Sequence, residues 1–285
     1  MNPTIVTLKA FGDFVIACNA SRRVQAANGM YAPTVVAGEH VRSLASALGV
    51  DKTIQFIGDD SWSDVPAAFD ARKRGVLSVF RSLQNLRQRL DALPSNMDFV
   101  FDRSGWRERF LGGARSFQSL SLKSGNIYLA YDQFFESLGY GNFKVGPEVK
   151  HTISRAIIIP GSRLRHKQIS GPVLSELAAE LRKSGIKSSV VVLEGESIDL
   201  PAGIHVKKLP RNFGELVAAV SDSDFVISAD SLPSHLSEFL GVPVFVSTPS
   251  PNPYWLPRSA FVTDGWATFA EIQPLRSWLS NHMQY

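Results

Sequence analysis

FVISADSLPSHLSEFLGVP, residues Phe225 to Pro243, reads as a buried strand that turns abruptly into the N-terminus of a helix. Phe225 to Ile227 are apolar and favour β structure, Asp230 and Ser231 are capping residue types, Pro233 suits a first helical turn, and Gly241 suits the exit. A turn of this kind aims backbone N–H groups and the positive end of the helix dipole at whatever sits above the sheet. An anion is the natural occupant, and in α/β proteins that anion is commonly a nucleotide pyrophosphate.

The same strand-to-helix rhythm runs outward through the rest of the chain. Short apolar runs predict strands at Thr4 to Leu8, Thr34 to Ala37, Thr53 to Ile57, Met97 to Phe101, Ala156 to Ile159, Ser189 to Leu193, His205 to Lys208, Phe225 to Ser228 and Val244 to Ser247. Amphipathic segments predict helices at Phe14 to Ala27, Val65 to Leu93, Tyr128 to Leu138, Val173 to Lys183, Phe213 to Val220 and Pro233 to Leu240, with a further helix at Phe269 to Leu279 closing the second half. Strands that are apolar on both faces belong to parallel sheets covered by helices on each side. The Gly- and Lys-rich stretch from Gly139 to Ser154 is the best linker, so the α/β chain is divided into Rossmann-like domains of residues 1–150 and 151–285.

Composition narrows the function classes. With 285 residues, 44% of them hydrophobic and 20% charged, the chain can bury a proper core in each half. A single cysteine, Cys18, excludes an intramolecular disulfide framework and fits a reducing compartment. The opening MNPTIVTLKAFGD lacks the pattern of a secretory leader, and no run reaches membrane-span length, so a cytoplasmic protein is expected. The formal charge of +4 is carried by basic clusters at Arg72 to Arg89, Arg103 to Arg115 and Arg163 to Lys167. No reading module or interleaved aromatic pattern accompanies them, so nucleic acid is not an expected partner. The first cluster is simplest as a solvated helix face, with an acidic acceptor or the anionic inner face of a plasma membrane as the functional alternative.

Three strand-to-helix turns carry chemistry-bearing residues, and each should lie at the carboxyl edge of its sheet, where ligands of open α/β folds bind. The first is Lys9-Ala10-Phe11-Gly12-Asp13, in which Asp13 is either an ordinary N-cap or a carboxylate facing a cleft. The second is Pro160-Gly161-Ser162-Arg163-Leu164-Arg165-His166-Lys167. Here a glycine, a hydroxyl and several cations make either a phosphate cradle or a plain basic loop, without Walker spacing. The third is the opening turn, where His235 follows Ser231 by one helical turn; a lone helix histidine is as readily a packing residue.

In order and spacing these turns resemble the ADP-heptose:lipopolysaccharide heptosyltransferases, glycosyltransferase family nine, over most of the chain. The similarity is strongest in LPRNFGELVAAVSDSDFVISADSLPSHLSEFLGVPVF, which opens at Leu209, and continues in PGSRLRHKQI and AFGDFVIA. The resemblance implies the GT-B architecture, two Rossmann-like domains whose parallel sheets face an interdomain cleft. It implies an inverting, metal-independent glycosyltransferase with no cofactor, acting on a nucleotide-diphosphate sugar, ADP-linked first, and a lipopolysaccharide or other bacterial surface-glycan acceptor. By the same resemblance Asp13 is the general base, and Gly161, Ser162, Arg163 and Lys167 hold the donor phosphates. Asp230, Ser231 and His235 complete the donor site, and Glu194 or Glu196 binds a ribose hydroxyl. Leu232 stands where the family carries glycine, and Ile169 where a tryptophan commonly follows the lysine. The Asp222-Ser-Asp224 triplet superficially resembles a metal-binding DxD and reads better as capping. The rival readings are a GT-B-like sugar-nucleotide epimerase and a catalytically silent nucleotide-sugar or glycolipid binder.

Overall fold

The computed structural model describes residues 2–29, 31–58, 76–113, 117–143 and 152–283. It divides into two units, Met1–Phe143 and Lys144–Tyr285. The boundary expected near residue 150 falls in 144–151, outside the described residues, as do Arg72, Lys73, Arg74, Arg115 and the segment before Val76.

Among the described residues the first unit is built from β1 (Pro3–Thr7), α1 (Phe11–Asn28), β2 (Thr34–Gly38), α2 (Arg42–Ala47), β3 (Ile54–Ile57), α3 (Val76–Asp91), β4 (Asp98–Phe101), α4 (Trp106–Gly112), β5 (Phe117–Ser119) and α5 (Ile127–Ser137). Its strands are parallel in the order β3-β2-β1-β4-β5. Every residue of β1 is buried, Thr4 and Thr7 included, as befits a central strand covered on both faces. On one face α3 supplies Val79, Leu83, Leu86 and Leu90, a stripe at helical spacing, to a core with Val6, Val36, Phe99 and Phe101.

The second unit runs β6 (Arg155–Ile159), α6 (Gly171–Lys183), β7 (Lys187–Leu193), β8 (Val206–Leu209), α7 (Phe213–Ser221), β9 (Phe225–Ala229), α8 (Leu232–Leu240), β10 (Val244–Thr248), α9 (Arg258–Val262), β11 (Trp266–Thr268) and α10 (Gln273–His282). Its sheet is parallel in the order β11-β10-β9-β6-β7-β8. The helix expected to close this half does so. Trp278 of α10 stacks on Phe225 at 4.9 Å and 11°, donates to Thr263 Oγ1 at 2.9 Å, and stacks on His282. Arg276 clamps Glu180 of α6 through two hydrogen bonds of 2.8 and 3.0 Å. The Asp224 carboxylate does not cap a helix. It accepts from Ser154 N, Ser154 Oγ and Arg155 N, and so fastens the start of β6.

Each sheet has one topological switch point, the place where successive strands depart to opposite sides. In the first sheet it lies between β1 and β4, and in the second between β6 and β9. No helix among the described residues is long and apolar enough to cross a membrane.

Candidate functional site

The switch point of the second sheet brings together the two turns that the sequence marks most strongly. After β6 the chain loops from Pro160 to a short 3-10 turn at Arg165–Lys167 and is closed by the Ile169 N–H donating to Pro160 O at 3.1 Å. Ile169 is buried in the core beneath the loop, which gives the residue in place of a tryptophan a packing role. Lys167 Nζ reaches across to Asp230 Oδ2 at 2.6 Å, joining the loop after β6 to the turn after β9. Ser231 Oγ donates to Gly161 O at 3.0 Å, a second tie between the same turns. Ser162 Oγ accepts from Leu164 N at 3.3 Å, and Arg163 is exposed.

These ties correct the expectation that Asp230 and Ser231 cap the following helix. Ser231 occupies the N-cap position of α8 but its hydroxyl is spent on Gly161, and no side chain caps the helix. The uncapped, positive end of α8 therefore abuts a loop carrying a lysine, the arrangement that suits a phosphate. His235, one turn into α8, is buried, and its pKa is lowered to about 4. Burial is the main cause. The negative charge of Asp230 opposes it and the positive charge of Lys167 adds to it, which puts all three side chains in one electrostatic neighbourhood.

Of the two carboxylates after β7, Glu194 is exposed, whereas Glu196 turns back over the loop. Its Oε2 accepts from Leu193 N at 3.1 Å, and it sits so close to Gly161 that a Cβ there would lie 2.5–2.8 Å from the carboxylate. A side chain at 161 would therefore push the movable end of Glu196 aside. Leu232, in place of the family's glycine, is the first residue of α8 and only partly buried.

At the switch point of the first sheet, Asp13 is not an N-cap. Ala10 holds that position and Asp13 is the third residue of α1, partly buried. The turn after β4 supplies Asp102 and Arg103, and α4 supplies a buried Glu108. Lys9 forms a close ion pair with Glu108 and approaches Asp102 at 3.8 Å. Arg103 donates to Asp102 through Nε and Nη2 at 3.2 and 3.0 Å. Burial works against the charged guanidinium of Arg103, and the fields of Asp102, Asp13 and Glu108 more than restore it, leaving its pKa raised. Beside this cluster His40, after β2, lies 5.8 Å from the Phe11 ring; its ring nitrogens are screened from solvent, and no hydrogen-bond partner for them lies among the described residues. The Asp102-Arg103 pair and Glu108 were not singled out from sequence. The signal was a charged dipeptide directly after a strand, which becomes meaningful only once β4 is known to neighbour β1.

Two parallel α/β units, each with charged groups gathered at its switch point, define a fold: that of the GT-B glycosyltransferases. Solved structures with this fold include Escherichia coli heptosyltransferase WaaC with ADP, 14% identical with a TM-score of 0.61 over 99% of this chain and 100% of that one. WaaC with ADP-2-deoxy-2-fluoro heptose gives 15% identity and a TM-score of 0.59, covering 99% of both chains. A glycosyl transferase family 9 protein from Veillonella parvula gives 15% and 0.58, covering 94% of this chain and 86% of that one. The heptosyltransferase resemblance seen in the sequence is borne out in the fold along nearly the whole chain. No family model matches the chain, and no curated protein matches it in sequence.

Proposed function

We propose that this protein is an inverting glycosyltransferase that moves a heptose or related sugar from a nucleotide-diphosphate donor to a lipopolysaccharide or other bacterial surface glycan. The observation that carries the reading is the pairing of Lys167 with Asp230, beside buried His235 and the uncapped start of α8, at the switch point of the second sheet. WaaC, of the same fold, has been solved with ADP and with an ADP-heptose analogue, which supports an ADP-linked donor as the first candidate.

In this reading Lys167, Ser162 and the start of α8 hold the diphosphate, with Arg163 at the loop's open side. Glu196, nearer the loop than Glu194, takes a ribose hydroxyl. His235, neutral at pH 7, shapes the pocket wall without adding charge. Asp13 accepts the proton of the acceptor hydroxyl as its oxygen bonds to the anomeric carbon. The bond from that carbon to the phosphate oxygen breaks, and its electron pair leaves on the diphosphate, where Lys167 neutralises the charge. No catalytic metal is invoked in this scheme. The work is done in the cytoplasm, with a loose contact at the anionic inner face of the membrane that carries the glycolipid.

The test is to incubate the protein with ADP-, GDP-, UDP- and dTDP-linked sugars, with and without a lipopolysaccharide-core acceptor. Free nucleoside diphosphate appearing only with acceptor is the expected result. An epimerised sugar still attached to its nucleotide, or no turnover of any donor, would overturn the transferase reading.

A further inference from the structure

The core-facing stripe of α3 explains Val79, Leu83, Leu86 and Leu90, but not the apolar residues Val76, Leu77 and Phe80. Val76, Leu77 and Phe80 are 66%, 87% and 51% exposed, and Trp106 at the start of the neighbouring α4 is 53% exposed. The Phe80 and Trp106 rings lie 5.9 Å apart, so these side chains form one patch across two packed helices. Further along α3 the outward positions turn polar, with Arg81, Gln84 and Gln88 exposed. The patch is therefore a local departure from an ordinary solvated face, and clustered exposed apolar groups of this kind mark a binding surface.

Charge says what the surface fits. α3 and α4 together carry five arginines and two acids. Both acids are engaged by cations: Asp91 is 3.6 Å from Arg87, and Glu108 is buried against Lys9. Arg81 and Arg109 are exposed at the rim, and the Arg107 guanidinium lies 5.0 Å over the Trp106 ring. Tryptophan and phenylalanine with leucine at the centre and arginines around them match the boundary between lipid headgroups and acyl chains.

We infer that residues 76–81 of α3 and the start of α4 form a docking surface for an anionic lipid bilayer, into which Leu77, Phe80 and Trp106 insert while Arg81, Arg107 and Arg109 meet the phosphates. This deepens the peripheral-membrane part of the reading above and fixes where the contact is made. Its test needs no turnover, so its failure and that of the transferase assignment are separable.

The experiment is co-sedimentation of the full chain with vesicles of phosphatidylcholine alone and of phosphatidylcholine mixed with phosphatidylglycerol, at low and moderate salt. The wild type should bind the anionic vesicles and leave the neutral ones largely unbound. Leu77→Ser/Phe80→Ser/Trp106→Ser keeps every charge, and because the altered side chains are exposed its thermal midpoint should stay near that of the wild type. Its partitioning should fall by about tenfold or more, since each buried apolar side chain is worth more than a factor of ten in transfer. Unchanged binding by the triple variant would mean that net charge alone attracts the protein, and would overturn the inference. So would an absence of binding to anionic vesicles, or lipid-free self-association of the wild type that the triple variant abolishes, which would make the patch a protein interface.

Discussion

Replacing His235 should remove a specific part of the protein's pH-dependent stability. In the folded second unit this imidazole is buried and titrates at about 4, against 6.5 unperturbed. When pH falls from 7, the unfolded chain binds a proton at this residue from about 6.5 downward, while the folded chain does not until about 4. The unfolded state thus binds more protons across that window, so folding stability declines as pH drops through it and is fully present above it. The gap of roughly 2.5 units corresponds to about 3 kcal/mol at 1.36 kcal/mol per unit. Urea denaturation of wild type and His235→Gln at pH 7, 6, 5 and 4 measures this as a difference, in which the common carboxylate background cancels. The wild-type curve should lose about 3 kcal/mol more than the variant between pH 7 and 4. Parallel curves, or an imidazole resonance of His235 titrating near 6.5, would refute the burial argument.

Asp13→Asn should leave donor affinity within a few-fold while transfer falls by about 10²–10⁴, the usual worth of a placed proton acceptor, read by comparing calorimetry with product formation. Gly161→Ala should push the Glu196 carboxylate, the movable end of its side chain, off Leu193 N and cost no more than about 1 kcal/mol in urea denaturation, since its Cβ would lie 2.5–2.8 Å from that carboxylate. Adding Glu196→Ala should return much of that loss in a double-mutant cycle, and simple additivity would argue against the close approach. Trp278→Ala, removing the stack on Phe225 and the bond to Thr263, should cost about 3–5 kcal/mol of unfolding free energy in urea, and a loss under about 1 kcal/mol would contradict its place in the core.

Much of the fold was legible because central parallel strands leave a plain trace. β1, β9 and β10 are buried along their whole length and appear in the chain as short runs of β-favouring apolar residues broken only by Ser or Thr. β5 and β11 escaped notice. Each is a three-residue strand at a sheet edge, too short for a periodic signal. The short helices α2, α4 and α9 were missed for the same reason. In the candidate site, residue types and order pointed to the turns around Asp13, Lys167 and His235. What the sequence withheld was pairing. Nothing local distinguishes an Asp230 or Ser231 that caps its own helix from one that reaches back to Lys167 or Gly161, 63 and 70 residues earlier in the chain. Likewise Arg103 gains meaning beside Asp13 only through the adjacency of β4 and β1.

The central claim is that the switch point of the second sheet holds the donor diphosphate, and calorimetric titration of wild type and Lys167→Ala with the tightest binder among ADP, GDP, UDP and dTDP tests it most directly. Loss of a charge-assisted contact, with the partly buried Asp230 left unpaired beside an anion, predicts affinity weakened by about tenfold to a hundredfold with the fold intact. Equal affinity in the two proteins would place the diphosphate elsewhere and contradict the account.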